Sequence, residues 1–223
     1  MLGDTWTLRG DRWTRAGSAG PAPRAEAAIA YDARRARVVL FGGYDLASDG
    51  RPHRLGDTWE WDGEHWTLVA VTGPSPRSGA AMAWHSASGV VLFGGSGGPL
   101  SDAWSWEGTT WRRLELSPTS GRFNTVMARD PASGGLFRYG GWDGQERVAD
   151  TWGLQDGRWV EVARTGPPAR NHAILVSALD RGSMLLYGGH DGDAVFGDLW
   201  ELKRGRWTAL TTAPPTPRVA NGH

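Results

Sequence analysis

The chain has no cysteine among its 223 residues. This absence excludes disulfide frameworks, thiolate metal sites and cysteine nucleophiles, and it suits oxidising and reducing compartments alike. The sequence also lacks a run of about 18 apolar residues, which a membrane-spanning helix needs, and a basic and apolar leader at its start. We therefore expect a soluble chain without a membrane partner. Its location stays open between the cytoplasm and secretion after removal of a leader.

An excess of charge of either sign is also missing. Lys and Arg together number 24, as do Asp and Glu, so the formal net charge at pH 7 is +0. No global field draws such a protein to a polyanion. We therefore expect no nucleic-acid partner.

Glycine, proline and tryptophan are abundant instead, with 33, 13 and 14 copies. Trp59 and Trp66 flank Asp62-Gly63, a dipeptide that suits a tight turn, so this stretch predicts a β-hairpin. The same frame occurs five times, as Trp6 with Trp13, Trp59 with Trp66, Trp104 with Trp111, Trp152 with Trp159, and Trp200 with Trp207. Each copy begins with an aspartate two residues before its first tryptophan: Asp4, Asp57, Asp102, Asp150 and Asp198. We expect these aspartates to cap turns, and the tryptophans to bury apolar area between sheets.

An arginine follows each second tryptophan by eleven residues, at Arg24, Arg77, Arg122, Arg170 and Arg218. Proline-rich turns precede these arginines and interrupt strand pairing. After each of the first four comes a strand of small residues, then a bulkier apolar strand that ends in paired glycines. The pairs are Gly42-Gly43, Gly94-Gly95, Gly140-Gly141 and Gly188-Gly189. Because only glycine tolerates close backbone approach and positive φ cheaply, we interpret the pairs as packing devices.

The second tryptophan recurs after 53, 45, 48 and 48 residues, close to the period of about 50 residues in kelch propellers. Each unit contains, in order, an apolar strand, paired glycines, a variable loop and the two tryptophans. This order resembles kelch repeats over nearly the whole chain. The resemblance implies an all-β fold, a kelch-type β-propeller of four-stranded antiparallel blades.

We expect one domain over residues 1–223, with four complete repeats and a partial one. The repeats span 18–69, 70–114, 115–162 and 163–210; residues 1–17 form the outer hairpin of the partial blade, and 211–223 begin a further innermost strand. Three alternatives for ring closure stay open: an excerpt of a larger propeller, an open arc, or a ring completed by another chain.

Candidate ligand-binding residues lie in the loops that vary between repeats, because binding groups are commonly carried on loops of a rigid scaffold. The loops before the first strand and after the glycines should emerge on one face. The candidates after the glycines are Tyr44, Asp45, Arg51, His53, Trp142, Asp143, His190 and Asp191. The alternative for the long loop, 44–55, is a solvated insertion.

A second candidate set is Glu26, Asn124 and His172, which stand two residues after an arginine and should line the central opening. The arginines Arg24, Arg77, Arg122 and Arg170 could grip carboxylate or phosphate, but their constant phase favours a structural role that bridges blades through turn carbonyls. Four tryptophans outside the repeated pairs are candidates for sugar stacking: Trp61, Trp84, Trp106 and Trp142.

Known chemistries of kelch-like enzymes do not fit the residues. Copper radical oxidases of this type need a cysteine, and the iron motif of plant specifier proteins would need histidine where Leu154 stands after Glu146 and Asp150. The stretch His190-Asp191-Gly192-Asp193 lacks the ligand series of a calcium loop. We therefore expect no metal, no cofactor and no catalytic residue.

The leading hypothesis is a noncatalytic scaffold that binds a protein or peptide through the loop face. The alternative is a site near the central axis for a carbohydrate or small ligand, with isomerase-like chemistry. A third hypothesis is self-association that completes the ring.

Overall fold

The computed structural model describes residues 1, 3–17, 19–97, 101–116 and 119–210, and over these residues the protein is all-β, with twenty strands and no helix. No helix long and apolar enough to cross a bilayer therefore occurs in the described part of the chain. Two short hairpins are formed by β1 (Trp6–Arg9) with β2 (Arg12–Arg15) and by β5 (Tyr44–Leu46) with β6 (Pro52–Arg54).

The other sixteen strands form four antiparallel sheets, each of which we call a blade. Blade 1 contains β3 (Ala28–Asp32), β4 (Arg37–Phe41), β7 (Thr58–Trp61) and β8 (Trp66–Ala70). Blade 2 contains β9 (Ala81–His85), β10 (Gly89–Phe93), β11 (Ala103–Trp106) and β12 (Trp111–Leu114). Blade 3 contains β13 (Val126–Arg129), β14 (Leu136–Tyr139), β15 (Thr151–Gln155) and β16 (Arg158–Ala163). Blade 4 contains β17 (Asn171–Ala178), β18 (Ser183–His190), β19 (Leu199–Lys203) and β20 (Arg206–Ala209).

Within every blade the strands follow one another in chain order. The first strands of neighbouring blades contact each other, β3 with β9, β9 with β13 and β13 with β17. This is the radial arrangement of a four-blade β-propeller, and the predicted four-stranded blades are confirmed.

The second strand of blade 2 is buried because blades 1 and 3 lie on either side of it. In β10 all five residues are buried, from Gly89 to Phe93, so the continuous apolar run has no solvent-facing side. The glycine pair that follows the strand allows close approach of the next blade. A Cβ on Gly42, whose φ is +64°, would lie 2.5 Å from the carbonyl oxygen of Arg77 in blade 2, while the Gly43 nitrogen donates to that oxygen at 2.9 Å.

The second tryptophan of each repeat packs into the preceding blade. Trp111 of blade 2 meets Phe41 of blade 1 edge to face, with ring centroids 5.3 Å apart, and its Nε1 donates to Thr58 Oγ1 at 2.8 Å. The other two junctions repeat the ring contact, Phe93 with Trp159 and Tyr139 with Trp207. The tryptophans therefore bury apolar area between blades, as expected.

The hairpin β1–β2 occupies the place of the third and fourth strands of a blade before blade 1. Trp66 Nε1 donates to Thr5 Oγ1 at 2.8 Å, the same bond that Trp111 makes with Thr58 and Trp207 with Thr151. This hairpin has only two strands among the described residues. The predicted innermost strand in 211–223, with Arg218, lies outside the described residues.

The faces of blades 1 and 4 that point away from blades 2 and 3 carry exposed apolar side chains. Ile29 and Tyr31 on β3, and Ile174 and Val176 on β17, are each 45–57% exposed. Among the described residues, apolar clusters fill only the three junctions between blades 1 and 2, 2 and 3, and 3 and 4.

The tryptophan contact predicts a position-dependent cost of truncation. Trp111→Ala should lower the free energy of unfolding by about 3–5 kcal/mol, since it leaves a cavity beside Phe41 and an unpaired Thr58 hydroxyl. Trp13→Ala changes the equivalent tryptophan of the hairpin β1–β2, which is 61% exposed, and should cost less than about 1 kcal/mol. Denaturant titration followed by circular dichroism measures both. Equal losses would contradict the inserted role of Trp111.

Candidate functional site

The loops after the paired glycines lie beside the segments that lead into the first strands. Tyr44 and Ala25 exchange two backbone hydrogen bonds of 2.9 Å, and the same pairing joins Ser96 to Ser78 and Trp142 to Phe123. Asn171 pairs with His190 in blade 4. The structure thus places the post-glycine candidates and the axis candidates on one end of the propeller, which we call the loop face.

One residue of each blade lies at the axis of the loop face: Glu26, Gly79, Asn124 and His172. Backbone hydrogen bonds join them in order, from Gly79 N to Glu26 O at 3.0 Å, from Asn124 N to Gly79 O at 2.7 Å, and from His172 N to Asn124 O at 3.4 Å. All four have φ between 51° and 62°. For a residue other than glycine this conformation costs about 1–3 kcal/mol and persists only where the surroundings enforce it.

Side chains continue the chain of contacts between blades 4 and 1. His172 Nε2 lies 3.5 Å from Glu26 Oε1, and His172 Nδ1 lies 3.1 Å from His190 Nε2. Because a carboxylate can only accept, His172 Nε2 carries the proton in this contact; in the neutral ring Nδ1 then accepts from His190 Nε2–H. The structure thus brings the predicted residues Glu26, His172 and His190 together in one row of polar contacts.

Asn124 stands opposite Glu26 in this ring and is 8% exposed. Its Oδ1 is buried and makes no hydrogen bond with the described residues. A Cβ on Gly79 would lie 2.3 Å from this oxygen, so glycine is required next to it. The axis therefore offers an acceptor that a ligand or water could satisfy.

The long loop of blade 1 folds into the ribbon β5–β6. Asp45 and His53 face each other across it, with Oδ1 and Nδ1 2.8 Å apart. The side chains of Arg51 and His53 are 86% and 63% exposed. The ribbon thus presents charges of both signs to solvent.

Two predicted aspartates serve their own turns. Asp143 Oδ1 accepts from the backbone nitrogens of Gln145 and Glu146 at 2.8 Å, and Asp191 Oδ1 does the same for Asp193 and Ala194. These backbone bonds hold the pKa of both carboxyls below the ordinary value. Turn formation accounts for both residues.

The repeated arginines bind inside their own blades. Arg77 is buried, and its two Nη atoms lie 2.5 and 2.9 Å from the Asp102 carboxylate. Nη1 also donates to Gly94 O and Nε to Ser75 O. Arg24 and Arg170 make the same contacts with Asp57 and Asp198, whereas Arg122 reaches Asp150 through one Nη atom.

This network corrects two expectations. The aspartates were expected to cap turns, but the four in the blades accept from the arginine and from the indole of the tryptophan two residues on, as Asp57 does from Trp59 Nε1 at 2.6 Å. Asp4 accepts from the Trp6 indole. The arginine side chains do not bridge blades; the bridge is the arginine backbone carbonyl, which accepts from the second glycine of the preceding blade. In blades 1, 2 and 4 both side chains of the pair are committed, so no ligand is needed to explain them. In blade 3, Arg122 Nε and Asp150 Oδ1 are buried without a hydrogen-bond partner among the described residues.

Among the proposed sugar-stacking tryptophans, Trp106 is fully buried and Trp61 is 8% exposed, so neither ring face is accessible. Trp142 stays on the loop face, with its ring against Phe123 and the Arg147 guanidinium 5.4 Å from its centroid. Arg147 also donates from Nε to Asn171 Oδ1 at 3.1 Å, next to the axis. Sequence analysis missed Arg147, because its loop has no constant length from which a phase could be assigned.

Arg138 is a second missed residue, buried within blade 3. Its guanidinium lies within 4.8–5.2 Å of the ring centroids of Phe93, Trp152 and Trp159, and it makes no ion pair with a described carboxylate. Burial, with a smaller effect of Arg122, lowers its pKa to about 9. The equivalent positions of the other blades hold leucine: Leu40, Leu92 and Leu186.

No group of three or more His, Asp or Glu side chains in the described part of the chain could hold a metal ion. The chain matches no protein-family model, and no significant match was found among curated proteins.

The arginine–aspartate pairs predict acid sensitivity. Burial alone would raise the pKa of Asp57, but hydrogen bonds from Arg24 and Trp59 outweigh it and lower the pKa below 3.8, and Asp198 behaves alike. A lowered folded-state pKa stabilises the fold above the unfolded value, and this contribution is lost as pH falls through the folded value. Stability should therefore drop below about pH 3.8.

The matched variants are Asp57→Asn and Asp11→Asn, the latter at an exposed turn. We expect Asp57→Asn to cost about 2–3 kcal/mol at pH 7, because Arg24 loses its carboxylate, and to flatten the acid dependence. Urea titrations between pH 2.5 and 7 measure both effects. A similar loss in Asp11→Asn would argue against the pair.

Arg138 gives a prediction of opposite sign. Arg138→Leu should raise the free energy of unfolding by about 1–3 kcal/mol at pH 7, because the removal of a buried charge without a carboxylate partner outweighs the loss of its bond to Thr119 Oγ1. The unfolded state binds more protons above about pH 9, so wild-type stability should approach that of the variant as pH rises. Urea titrations at pH 7 and pH 10 measure this, with exposed Arg158→Leu as control. A less stable Arg138→Leu would mean that the three rings more than offset the desolvation of the cation.

Proposed function

We propose that this protein is a noncatalytic kelch-type scaffold that binds a protein or peptide through the loop face. The observation that carries the proposal is the ribbon β5–β6, whose Arg51 and His53 side chains are largely exposed. The arginine–aspartate pairs that recur in every blade hold the framework together, by two bonds in blades 1, 2 and 4 and by one in blade 3. Polar side chains that differ between blades are therefore the ones left to choose a partner.

The composition of the ribbon suits recognition by charge complementarity. Asp45 and Asp49 supply negative charge, while Arg51 and Arg54 supply positive charge, within one short ribbon. Arg54 is anchored, since its Nη2 donates to Ser96 Oγ of blade 2 at 3.0 Å. A mixed-charge ribbon on a rigid support selects its partner by the order of charges, and this favours specificity and association rate.

The second candidate is a small polar ligand or carbohydrate at the axis. Two observations favour it, the buried Asn124 Oδ1 and the row formed by Glu26, His172 and His190. Hydroxyl or amine donors would satisfy Asn124, and the row could accept or return a proton as an isomerase requires.

One experiment separates the two functions. Peptides selected from a displayed random library should bind wild type, and the combined variant Asp45→Asn, Arg51→Gln, His53→Gln should weaken them by about tenfold or more through lost charge-assisted bonds. The axial variant Glu26→Gln, His172→Gln is the matched control and should change the peptide affinity less than about twofold. Isothermal titration calorimetry measures both.

The opposite result would transfer the function to the axis. Saturable binding of a monosaccharide from a tested panel, measured by isothermal titration calorimetry, lost in the axial variant and kept in the ribbon variant, would support the second candidate. Peptide binding that neither variant weakens would contradict the ribbon assignment.

A further inference from the structure

A cleft of about 780 Å³ opens between blades 2 and 3, at the end of the propeller opposite the loop face. Its walls include His85 and Ser88 from the β9–β10 turn region and Asp156 from the β15–β16 turn. Leu114, Leu116 and Leu154 also line it and pack against the apolar cluster of this junction. A concave site of this volume with apolar walls and a few polar groups has the character of a small-molecule pocket.

The equivalent place between blades 1 and 2 is filled. Trp106 is fully buried there, and its Nε1 donates to Glu60 Oε1 at 2.7 Å. Arg35 forms two bonds to the same carboxylate, at 2.5 and 2.7 Å, and its Nη2 reaches Gly108 O of blade 2 at 3.5 Å. A large ring and a bridging guanidinium thus seal this junction.

Smaller side chains leave the junction between blades 2 and 3 open. Leu154 takes the place of Trp106, since each pairs with the corresponding residue of its second strand, Leu136 and Val90. The turn that carries Arg35 in blade 1 is Ser86-Ala87-Ser88 in blade 2. These differences account for the cleft.

A cation without a carboxylate partner stands beside the cleft. Arg129 makes no ion pair with any described residue, and its buried Nε has no hydrogen-bond partner among them. Its Nη2 lies 3.1 Å from where a Cβ on Gly134, a residue of the cleft wall, would stand. The neighbouring Asp130 carboxylate is occupied by the nitrogen and hydroxyl of Ser133.

His85 belongs to the cleft wall, and its Nδ1 lies 3.1 Å from Ser88 Oγ. Burial, and then the Arg129 guanidinium, lower the pKa of His85, which favours its neutral ring. An anion would be attracted by Arg129 and could accept a hydrogen bond from Ser88 or His85. The rim carboxylate of Asp156 lies on the blade 3 side and repels an anion there.

We propose that this cleft binds an amphiphilic carboxylate, with its apolar body along Leu114, Leu116 and Leu154 and its head group toward Arg129 and His85. The Arg129 guanidinium lies 5.5 Å from the centroid of the Trp84 ring and has no carboxylate partner among the described residues. The apolar walls supply contact area, and the guanidinium supplies the charge and the bidentate geometry that a carboxylate matches. The site lies on the other end of the molecule from the proposed peptide face, so either assignment can fail without the other.

Octanoate serves as the probe and octan-1-ol as its uncharged counterpart. Wild type should bind octanoate saturably below about 10 mM, as expected for a small ligand in a half-open apolar cleft. Leu154→Trp places the side chain of Trp106 in the cleft and should abolish binding, while exposed Leu68→Trp should leave it unchanged. Arg129→Gln should weaken octanoate about tenfold or more and change octan-1-ol less than about twofold.

Calorimetry and methyl NMR shifts of the three leucines measure these affinities. If Leu154→Trp shows no cooperative unfolding transition, it is not folded and its loss of binding is uninformative. The comparison of octanoate affinity between wild type and Arg129→Gln then tests the proposal. Absence of saturable octanoate binding to wild type would overturn the proposal. So would octanoate affinity that Arg129→Gln leaves unchanged, or binding equally reduced by Leu68→Trp.

Discussion

Contact between neighbouring blades is the constraint on which this structure depends. A four-stranded sheet with a buried second strand, such as β10, cannot exist alone, because both of its faces must be covered. The cover is an indole from the next blade against the aromatic residue before the glycine pair, as between Phe41 and Trp111. The glycines belong to the same contact, since any Cβ on Gly42 would meet the backbone of Arg77.

This demand explains where chemistry can and cannot lie. The arginine, aspartate and first tryptophan of each repeat hold the strands of one blade together, as Arg77, Asp102 and Trp104 do. Polar groups that hydrogen-bond to each other in the low-dielectric interior of a blade are not available to a ligand. The candidate polar side chains that differ between blades lie in the loops and at the axis. The ribbon β5–β6 and Asn124 are found there.

The blades could be predicted from the sequence because their signals are local. Tryptophan spacing, the Asp-Gly turns and the glycine pairs each act within about ten residues, where turn and strand chemistry decide the structure. The pairing of Arg24 with Asp57 could not be derived, because 33 residues separate them and an aspartate before a strand also suits a turn. The contact of His172 with Glu26 joins residues 146 apart. The sequence predicted that both lie near the axis only because each stands two residues after a repeated arginine. Arg138 went unnoticed since a single arginine in an apolar strand carries no repeat signal.

Departures from the repeat are therefore the informative positions. Ala103 stands where Thr58 and Thr151 accept from an inserted indole, so this position lacks the hydroxyl found at the other two junctions. The same junction carries Leu154 in place of a tryptophan, and the buried Arg138 approaches it from blade 3. Its packing is thus less uniform than that between blades 1 and 2, where Trp106, Glu60 and Arg35 interlock. A propeller keeps its ring stable through the junctions that obey the repeat, and it can develop a binding site at the junction that does not.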